Sequence, residues 1–395
     1  MSRRPIQQSF DVVVVGAGVV GLAAAWRARR GGLTTLVVER DRAGAGASGV
    51  AAGMLAPVTE ADFGAETLLA LNLAGRERWP AFAAELAERS GHDTGFRESG
   101  ALIVAADRDD AEELRRLASL QRSLGLDARW LSGRDCRRLE PGLSPRVVGG
   151  IEAPGEAHVN PGATVAALRA AFLAAGGELL EGIAVEGVKL AQSGSRVAGV
   201  RLAGGERIAC EALVAACGAW SRSLSGLPAE ALPPVRPVKG QVLTLSSPAR
   251  DVAIASWIVR TPRCYVVPRS EGELVVGATM EERGFDTRVT AEGVFRLLEA
   301  ARETLPEVDE LELVSARAGL RPTTPDNLPV IGAAEDVENL LWATGHGRNG
   351  VLLAPLTAEA VAATLRGDPK PAVVTSCSPD RFERRGARPP VAPVA

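Results

Sequence analysis

The chain carries two kinds of hydrophobic pattern, which alternate along its length. Continuous apolar runs at 12–15, 36–38 and 212–216 are typical of parallel strands that are covered on both faces. Residues 235–320 instead contain short apolar segments separated by polar ones, together with a helical stretch at 291–304. The first pattern returns at 337–366. We therefore expect an α/β domain that is interrupted by a second domain built on an antiparallel sheet.

Apolar residues at helical spacing predict further elements. Helices are expected at 65–90, 109–124, 163–175 and 351–365, and Pro80 is expected to break or kink the first of them. Residues 197–202 and 206–208 are predicted to form a hairpin through two glycines, with a separate buried strand beginning at residue 212.

A glycine-rich turn follows the first apolar run. Gly16, Gly18 and Gly21 precede a helix-like run, so the backbone there can approach an anion without interference from a Cβ. Glu39 lies at the end of the next predicted strand, where its carboxylate can accept both ribose hydroxyls of a dinucleotide. Because an acid here would repel a 2′-phosphate, we expect FAD or NAD rather than NADP. The alternative is a plain βαβ turn without a ligand.

Small residues dominate the next segment, 44–57. It holds too many glycines for a stable helix, so it is either a flexible surface loop or a loop that packs against a flat ligand. Its position directly after the predicted ribose-binding strand favours the second reading. The chain contains no second dinucleotide motif, and a loop of this kind suits a flavin ring, which favours FAD over NAD.

These elements predict a discontinuous domain organisation of the α/β class. A Rossmann-type FAD-binding domain is assigned to 1–94, 146–232 and 322–367, and an inserted α+β substrate-binding domain on a large antiparallel sheet to 95–145 and 233–321. The Pro- and Arg-rich tail, 368–395, is expected to be loosely ordered.

Composition narrows the class of protein. The 395 residues are 46% hydrophobic and 24% charged, with a formal net charge of −3, which argues against nucleic acid as a partner. The 5 cysteines show no metal-binding spacing, and their odd number predicts reduced thiols in a cytoplasmic protein. No apolar run approaches the length of a membrane span, so no membrane partner is expected. The 3 histidines do not suggest a metal site.

Several motifs together resemble those of the D-amino acid oxidase family of FAD enzymes, and within it the branch that oxidises glycine for thiamine biosynthesis. The resemblance covers nearly the whole chain. The segment 51–57 and the segment 348–355 are much narrower signals than the first glycine turn, which many flavoproteins share. The motifs that carry the resemblance are 16–22, 46–57, 264–269, 319–332 and 345–350.

The resemblance implies three catalytic residues. Arg321 would hold the substrate carboxylate, for which the bidentate guanidinium is well suited, although a structural salt bridge is the alternative. Tyr265, the only tyrosine, would donate a second hydrogen bond to that carboxylate, with a plain core aromatic as the alternative. Arg348 would lie at the edge of the substrate or flavin, before a helix whose N-terminus could stabilise negative charge on the ring. His346 is interpreted as a loop residue rather than a base.

The expected FAD-binding residues extend beyond the glycine turn and Glu39. Gly347 stands where relatives often carry a bulkier residue, which leaves the size of the pocket open. Relatives that bind flavin covalently use a cysteine shortly before the Pro-Asp segment. No cysteine lies between Ala316 and Asp326, so the resemblance implies that FAD is noncovalent. The remaining expected FAD contacts are Arg40, Ala47, Ser48, Ala52, Gly53, Met54, Leu55, Val185, Gly218, Trp220, Gly347, Arg348, Asn349, Gly350 and Val351.

The reaction implied is oxidative deamination of glycine or another small amino acid. Hydride would pass from Cα to flavin N5, the imine would hydrolyse to an oxo acid and ammonia, and O₂ would be reduced to H₂O₂. One alternative is a D-amino acid or sarcosine dehydrogenase of the same fold that uses a quinone or dye. Another is a catalytically silent flavin-bearing subunit of a larger complex. The resemblance also suggests a homo-oligomer, possibly a tetramer.

Overall fold

The computed structural model describes residues 8–247 and 254–382. The helices in this part are α1 (Val19–Arg30), α2 (Glu66–Ser90), α3 (Arg108–Ser123), α4 (Gly133–Leu139), α5 (Pro161–Ala174), α6 (Ala291–Thr304) and α7 (Ala354–Arg366). The strands are β1 (Ser9–Val15), β2 (Thr35–Val38), β3 (Met54–Leu55), β4 (Ala101–Ala105), β5 (Arg129–Ser132), β6 (Gly149–Ala153), β7 (Ala157–His158), β8 (Glu178–Leu180), β9 (Val185–Leu190), β10 (Val197–Leu202), β11 (Arg207–Ala215), β12 (Arg236–Ser246), β13 (Ile258–Arg260), β14 (Tyr265–Pro268), β15 (Glu273–Gly277), β16 (Glu312–Thr323), β17 (Val330–Ala333) and β18 (Leu340–Thr344).

The chain divides into two compact units. Unit 1 contains the described residues of Met1–Ala45, Leu168–Pro237 and Arg321–Ala395, and unit 2 contains those of Gly46–Ala167 and Val238–Leu320. The second unit is therefore inserted into the first along the sequence. The boundaries of these units differ from those of the predicted domains. The predicted domain boundaries stay a prediction.

Unit 1 is built on a sheet with the strand order β17-β18-β11-β1-β2-β8, to which β10 and β9 add a further antiparallel branch. The central strand β1 pairs in parallel with both β11 and β2, and β11 pairs in parallel with β18. The apolar runs noted above form its core, in which Val13, Leu36, Leu213 and Trp342 have no exposed surface. The parallel sheet thus lies where continuous apolar runs predict it.

Unit 2 contains a second sheet with the order β16-β12-β15-β14-β13-β4-β6-β5. Its pairs are mainly antiparallel, with β13 and β4 as a parallel exception. The predicted α/β class with a second, largely antiparallel sheet is confirmed. A separate two-stranded ladder joins β3 to β7, with Met54 opposite His158.

Several predicted elements need correction. The strands expected at 206–208 and from 212 are one strand, β11: its first half alternates between exposed and buried residues and pairs with β10, whereas its second half is buried in the parallel sheet. Helix α2 spans Glu66–Ser90, close to the expected 65–90, and is not broken at Pro80, where a kink stays a prediction. Helix α7 begins at Ala354, three residues later than predicted.

The tail is more ordered than expected over its first part. Residues 372–377 and 379–382 form short 3₁₀-helices, and Val374 and Cys377 are buried. Arg381 also forms an ion pair with Asp326, with 2.8 Å between Nε and Oδ2. A few apolar side chains and this ion pair hold the segment in place, and composition alone does not reveal such contacts. The rest of the tail, 383–395, lies outside the described residues.

A buried carboxyl group supports the two residues that follow the small-residue loop, 46–57, in unit 2. Glu156 has no exposed surface, and its Oε1 accepts hydrogen bonds from the backbone N–H of Val58 at 2.7 Å and of Thr59 at 3.3 Å. Burial raises the pKa of Glu156 to about 8, and the two hydrogen bonds oppose this effect only in part. The protonated form is therefore the stable one in the folded protein near neutral pH.

Glu156→Gln is expected to make stability less sensitive to pH. Because the folded pKa lies above the unfolded one, the stability that Glu156 contributes is fully present below about pH 4.5 and is lost as the pH rises through about 8. The free energy of unfolding of the variant minus that of the wild type should rise between pH 5 and pH 9 by on the order of 3 kcal/mol. Urea unfolding at both pH values measures this difference, and a constant difference would contradict the assignment.

Candidate functional site

The turn between β1 and α1 has room only for glycine at two positions. Gly16 has a φ of +107°, and a Cβ built on it would lie 2.5 Å from the carbonyl oxygen of Ala216. A Cβ on Gly21 would overlap the carbonyl oxygen of Gly16. Gly18 caps α1 and offers no side-chain hydrogen bond to the first turn. The N-terminus of α1 is therefore presented by bare backbone, which is the arrangement that binds a pyrophosphate.

Glu39 is fixed against this turn, as its spacing predicts. Its Oε2 accepts a hydrogen bond from the backbone N–H of Ala17 at 2.7 Å, and its Oε1 accepts one from Asp41 at 3.0 Å. A carboxylate offers about four lone-pair directions, so the group can still accept ribose hydroxyls. The structure thus brings the predicted acid and the glycine turn together.

Of the other predicted cofactor residues in unit 1, Arg40, Gly218 and Trp220 lie together. The guanidinium carbon of Arg40 is 4.1 Å from the centre of the Trp220 ring, a cation–π distance. Trp220 belongs to a 3₁₀-helix, Gly218–Ser223, whose first residue has a φ of +54° and open space where a Cβ would be. Val185 is half-buried at the start of β9 and packs against the core of unit 1.

The segments that carry Arg321 and Arg348 are neighbours in unit 1. The backbone N–H of Gly347 donates to the carbonyl oxygen of Pro322 at 2.8 Å, and Thr323 forms a β-bridge with His346. Arg321 is half-buried near the end of β16, and Arg348 is exposed. The two arginines that the sequence analysis selects, far apart along the chain, thus lie on adjoining backbone.

The loop 345–350 is held from inside by His346. This residue is buried, and its Nε2 is 2.9 Å from the Oγ1 of Thr357 on α7. Burial lowers the pKa of His346 to about 3, so the ring is neutral over the physiological range. A buried ring with so low a pKa, bound to a hydroxyl group, is a weak base and fits the interpretation as a loop residue.

Loop 46–57 of unit 2 is tied to its surroundings rather than free on the surface. Ala47 and Ser48 lie in a short 3₁₀-helix, and Met54 and Leu55 form β3. Gly53 has a φ of +75°, and a Cβ there would overlap the carbonyl oxygen of Val159. These contacts favour a fixed loop over a flexible surface loop, and the packing of the loop against a flat ligand stays a prediction.

Tyr265 stands at the start of β14, opposite Gly277 on β15. Its ring lies over that glycine, because a Cβ on Gly277 would overlap the tyrosine hydroxyl. The ring is half-buried and packs against the apolar cluster that contains Ala52, with Val50 and Met54 beside it. Tyr265 is thus neither a fully buried core aromatic nor an isolated surface residue.

Sequence reasoning missed a role for Arg269. Its Nη2 donates a hydrogen bond to the carbonyl oxygen of Ala52, in the small-residue loop. The available signal was the two-residue alternation of the strand, which puts position 269 on the same face as Tyr265.

Taken unit by unit, the described residues fit the binding of a dinucleotide cofactor such as FAD. The glycine turn and Glu39 provide a cradle that a Cβ would fill and an acid at its rim. Asn349, only 4% exposed, has a buried Oδ1 that makes no hydrogen bond to any described residue, and such an acceptor is expected to find a partner. Residues 8–247 and 254–382 contain no cluster of His, Cys, Asp or Glu that could hold a metal ion. None of the helices described is long and apolar enough to span a membrane.

Comparisons with known proteins agree with this geometry. Residues 11–364 match the family described as FAD dependent oxidoreductase (DAO). The glycine oxidase of Geobacillus kaustophilus is 35% identical in sequence, over 89% of this chain and 92% of that protein. Its crystal structure superposes with a TM-score of 0.87, with 94% of this chain and 98% of that chain covered.

Two further relatives carry different names. The hydrogen cyanide synthase subunit HcnC of Pseudomonas aeruginosa is 30% identical, over 89% of this chain and 91% of its own length. The bifunctional protein ThiO/ThiG of Trichormus variabilis is 34% identical, over 96% of this chain but only 56% of its own length. The expected homo-oligomer and the individual site residues stay predictions.

Gly21→Ala is expected to lower the affinity for FAD by at least about tenfold. The added methyl would overlap the carbonyl oxygen of Gly16, so the turn would have to open and the backbone donors of α1 would move. Titration of the apoprotein with FAD measures the effect. Gly155→Ala is the matched control, since a Cβ there meets nothing within 4 Å. Equal affinity in the Gly21 variant and the control would contradict the assignment.

Proposed function

Since the chain belongs to the FAD dependent oxidoreductase family, we propose that it is an FAD-dependent amino acid oxidase acting on glycine or another small amino acid. The observation that carries this proposal is the similarity to a glycine oxidase over nearly the full length of both chains, in sequence and in structure. The products would be an imine that hydrolyses to an oxo acid and ammonia, and H₂O₂ from O₂. The likeness to a ThiO/ThiG protein supports a place in thiamine thiazole synthesis.

FAD, when bound, supplies the oxidation of the bond between Cα and nitrogen, and the residues of the chain supply orientation and charge. We propose that Arg321 binds the substrate carboxylate through its two parallel N–H groups, which fixes the direction of the Cα–H bond. No general base is required if the amino group enters in its neutral form. The low pKa of His346 makes this residue a weak base, which agrees with a reaction that needs none.

Tyr265 is proposed as a second donor to the carboxylate. Its ring is held in place by Gly277 on one side and by the apolar cluster around Ala52 on the other, so its hydroxyl has a fixed position. A fixed donor loses little entropy when it binds its acceptor. Arg348 is proposed to add positive charge at the edge of the substrate or the cofactor, and its segment is fixed through Gly347.

Noncovalent attachment of FAD is part of the proposal. The described cysteines are Cys136, Cys210, Cys217, Cys264 and Cys377. Only Cys217 keeps some exposed surface, and burial of the rest of the residue still raises the pKa of its thiol to about 12. A protonated thiol is a poor nucleophile, so none is suited to form a thioether with the flavin.

Acid precipitation of the protein should release all of the flavin into the supernatant.

The visible spectrum under anaerobic conditions tests the function directly. Addition of glycine is expected to bleach the flavin absorption, and admission of air is expected to restore it with formation of peroxide. Bleaching only with sarcosine or a D-amino acid would keep the reaction and change the substrate. Faster reduction of a dye than of O₂ would indicate the dehydrogenase. A flavin that no amine bleaches would support a silent subunit and contradict the proposal.

Arg321→Ala is expected to lower kcat/KM for glycine by on the order of 10²-fold or more, since loss of a buried charge partner costs about 2–5 kcal/mol. Steady-state oxygen consumption measures it, with the FAD content of each variant determined beside it. Arg207→Ala is the matched control, because Arg207 is exposed on β11 in the same unit as Arg321. Near-normal turnover by the Arg321 variant would remove this residue from the proposed role.

A further inference from the structure

One face of β14, continued by the extended residue Arg269 that follows the strand, carries three side chains. Alternation along a strand places Tyr265, Val267 and Arg269 on the same side. Val267 is fully buried in the apolar cluster that includes Ala52, and Tyr265 packs against that cluster. This face of the strand is therefore covered by the small-residue loop. Arg269 lies at its far end, about 13 Å from Tyr265 at the usual rise per residue.

Only one of the two terminal nitrogens of the Arg269 guanidinium makes a hydrogen bond to the loop. Its Nη2 donates to the carbonyl oxygen of Ala52. Its Nη1 is equally shielded from solvent, yet it makes no hydrogen bond to any of the residues that the structure describes. A guanidinium carries donors and no acceptor, so Nη1 can be satisfied only by an acceptor atom.

The group nevertheless carries a positive charge. Burial lowers the pKa of Arg269 to about 10, and the charge of Glu273 opposes the shift, so the side chain stays protonated near neutral pH. The same charge adds to burial in lowering the pKa of His158, which is opposite Met54 in the β3–β7 ladder. A buried charged donor without an acceptor is costly, and the functional protein is expected to provide one.

We propose that Arg269 is a cofactor-binding residue. Its Nη2 fixes the backbone of loop 46–57 at Ala52, and its Nη1 donates to a carbonyl oxygen of the flavin ring. This inference rests on the proposed function, since it requires that FAD binds and that loop 46–57 contacts the ring. The flavin end of the cofactor is favoured over the pyrophosphate, because Ala52, to which Nη2 donates, belongs to the loop that is predicted to pack against the ring. A cation beside the ring would also favour the reduced, more negative cofactor.

Affinities for FAD and for ADP, measured on the full chain freed of cofactor, test the inference. ADP contains the half of FAD that binds the glycine turn but lacks the ring. Arg269→Met is expected to weaken FAD binding by about tenfold to hundredfold, as for loss of a hydrogen bond from a charged donor, and to leave ADP binding within about twofold. Arg269→Lys keeps the charge but not the fork, and is expected to fall between the wild type and Arg269→Met.

Arg260→Met is the matched control for loss of support to the loop. Arg260 also donates from a guanidinium to a backbone carbonyl, that of Thr59, and it belongs to the same unit. The control should bind FAD within about threefold of the wild type. If instead it weakens FAD as much as Arg269→Met does, loop support explains the effect and the inference fails.

The reduction potential of the bound FAD provides a second readout. In Arg269→Met it should fall by about 30 mV or more, which corresponds to a tenfold change in the ratio of affinities for reduced and oxidised cofactor in a two-electron couple. The inference would be overturned if Arg269→Met bound FAD with wild-type affinity and with the wild-type reduction potential. It would also be overturned if the variant lost affinity for FAD and for ADP to the same extent. If Arg269→Met does not fold, the ratio of FAD to ADP affinity in Arg269→Lys decides.

The outcomes also separate the two proposals. A wild-type chain that binds no FAD, or whose flavin no amine reduces, would contradict the proposed function itself. A wild-type chain that binds FAD and oxidises glycine, while Arg269→Met behaves in the same way, would overturn only the role of Arg269.

Discussion

The close approach of backbone to backbone after β1 is the constraint on which unit 1 depends. Gly16 contacts the end of β11 through Ala216, and Gly21 lies directly over the carbonyl of Gly16. These contacts set the distance between the central strand and α1, and they leave the first turn of that helix without a side-chain cap. Glu39 then completes the turn through its bond to Ala17. The same few atoms therefore determine both the packing of the helix and the shape of the nucleotide cradle.

Much of this unit follows from the sequence because its signals are local. Buried parallel strands require continuous apolar runs, and the glycine turn requires glycine at fixed offsets, so the strands, α1 and the spacing to Glu39 can all be predicted. The single strand β11 was predicted as two because its halves have different surroundings, one half-exposed and one buried. The pattern of apolar residues changes from alternating to continuous within the strand, and a prediction based on periodicity places the end of one strand and the start of another at such a change.

The errors elsewhere arise from contacts that are distant in the sequence. Pro80 is tolerated inside α2, which buries Trp79 and Phe82 on either side of it, and the resulting packing outweighs the local preference to end the helix. The parallel pairing of β13 with β4 joins strands more than 150 residues apart, and alternation in either strand does not reveal its partner. The order of residues 372–382 depends in the same way on Asp326 and on buried apolar neighbours.

The candidate site likewise contains residues that local motifs reveal and residues that only distant contacts reveal. Arg321, Tyr265 and Arg348 could be selected because their motifs are specific, whereas the roles of Arg269 and Glu156 depend on which backbone groups their side chains reach.

Charge explains why these buried groups matter for the proposed reaction. His158 and His346 are held neutral by burial, so neither changes its charge near neutral pH, whereas Glu156 ionises only as the pH rises through about 8. The fixed positive charges are carried by arginines, whose protonation does not change over the same range. An oxidation that leaves the redox step to a cofactor needs orientation and fixed charge more than it needs a titrating acid or base. The described residues therefore provide for a reaction of that kind: rigid glycine turns fix the backbone, and arginines supply charge that stays constant with pH.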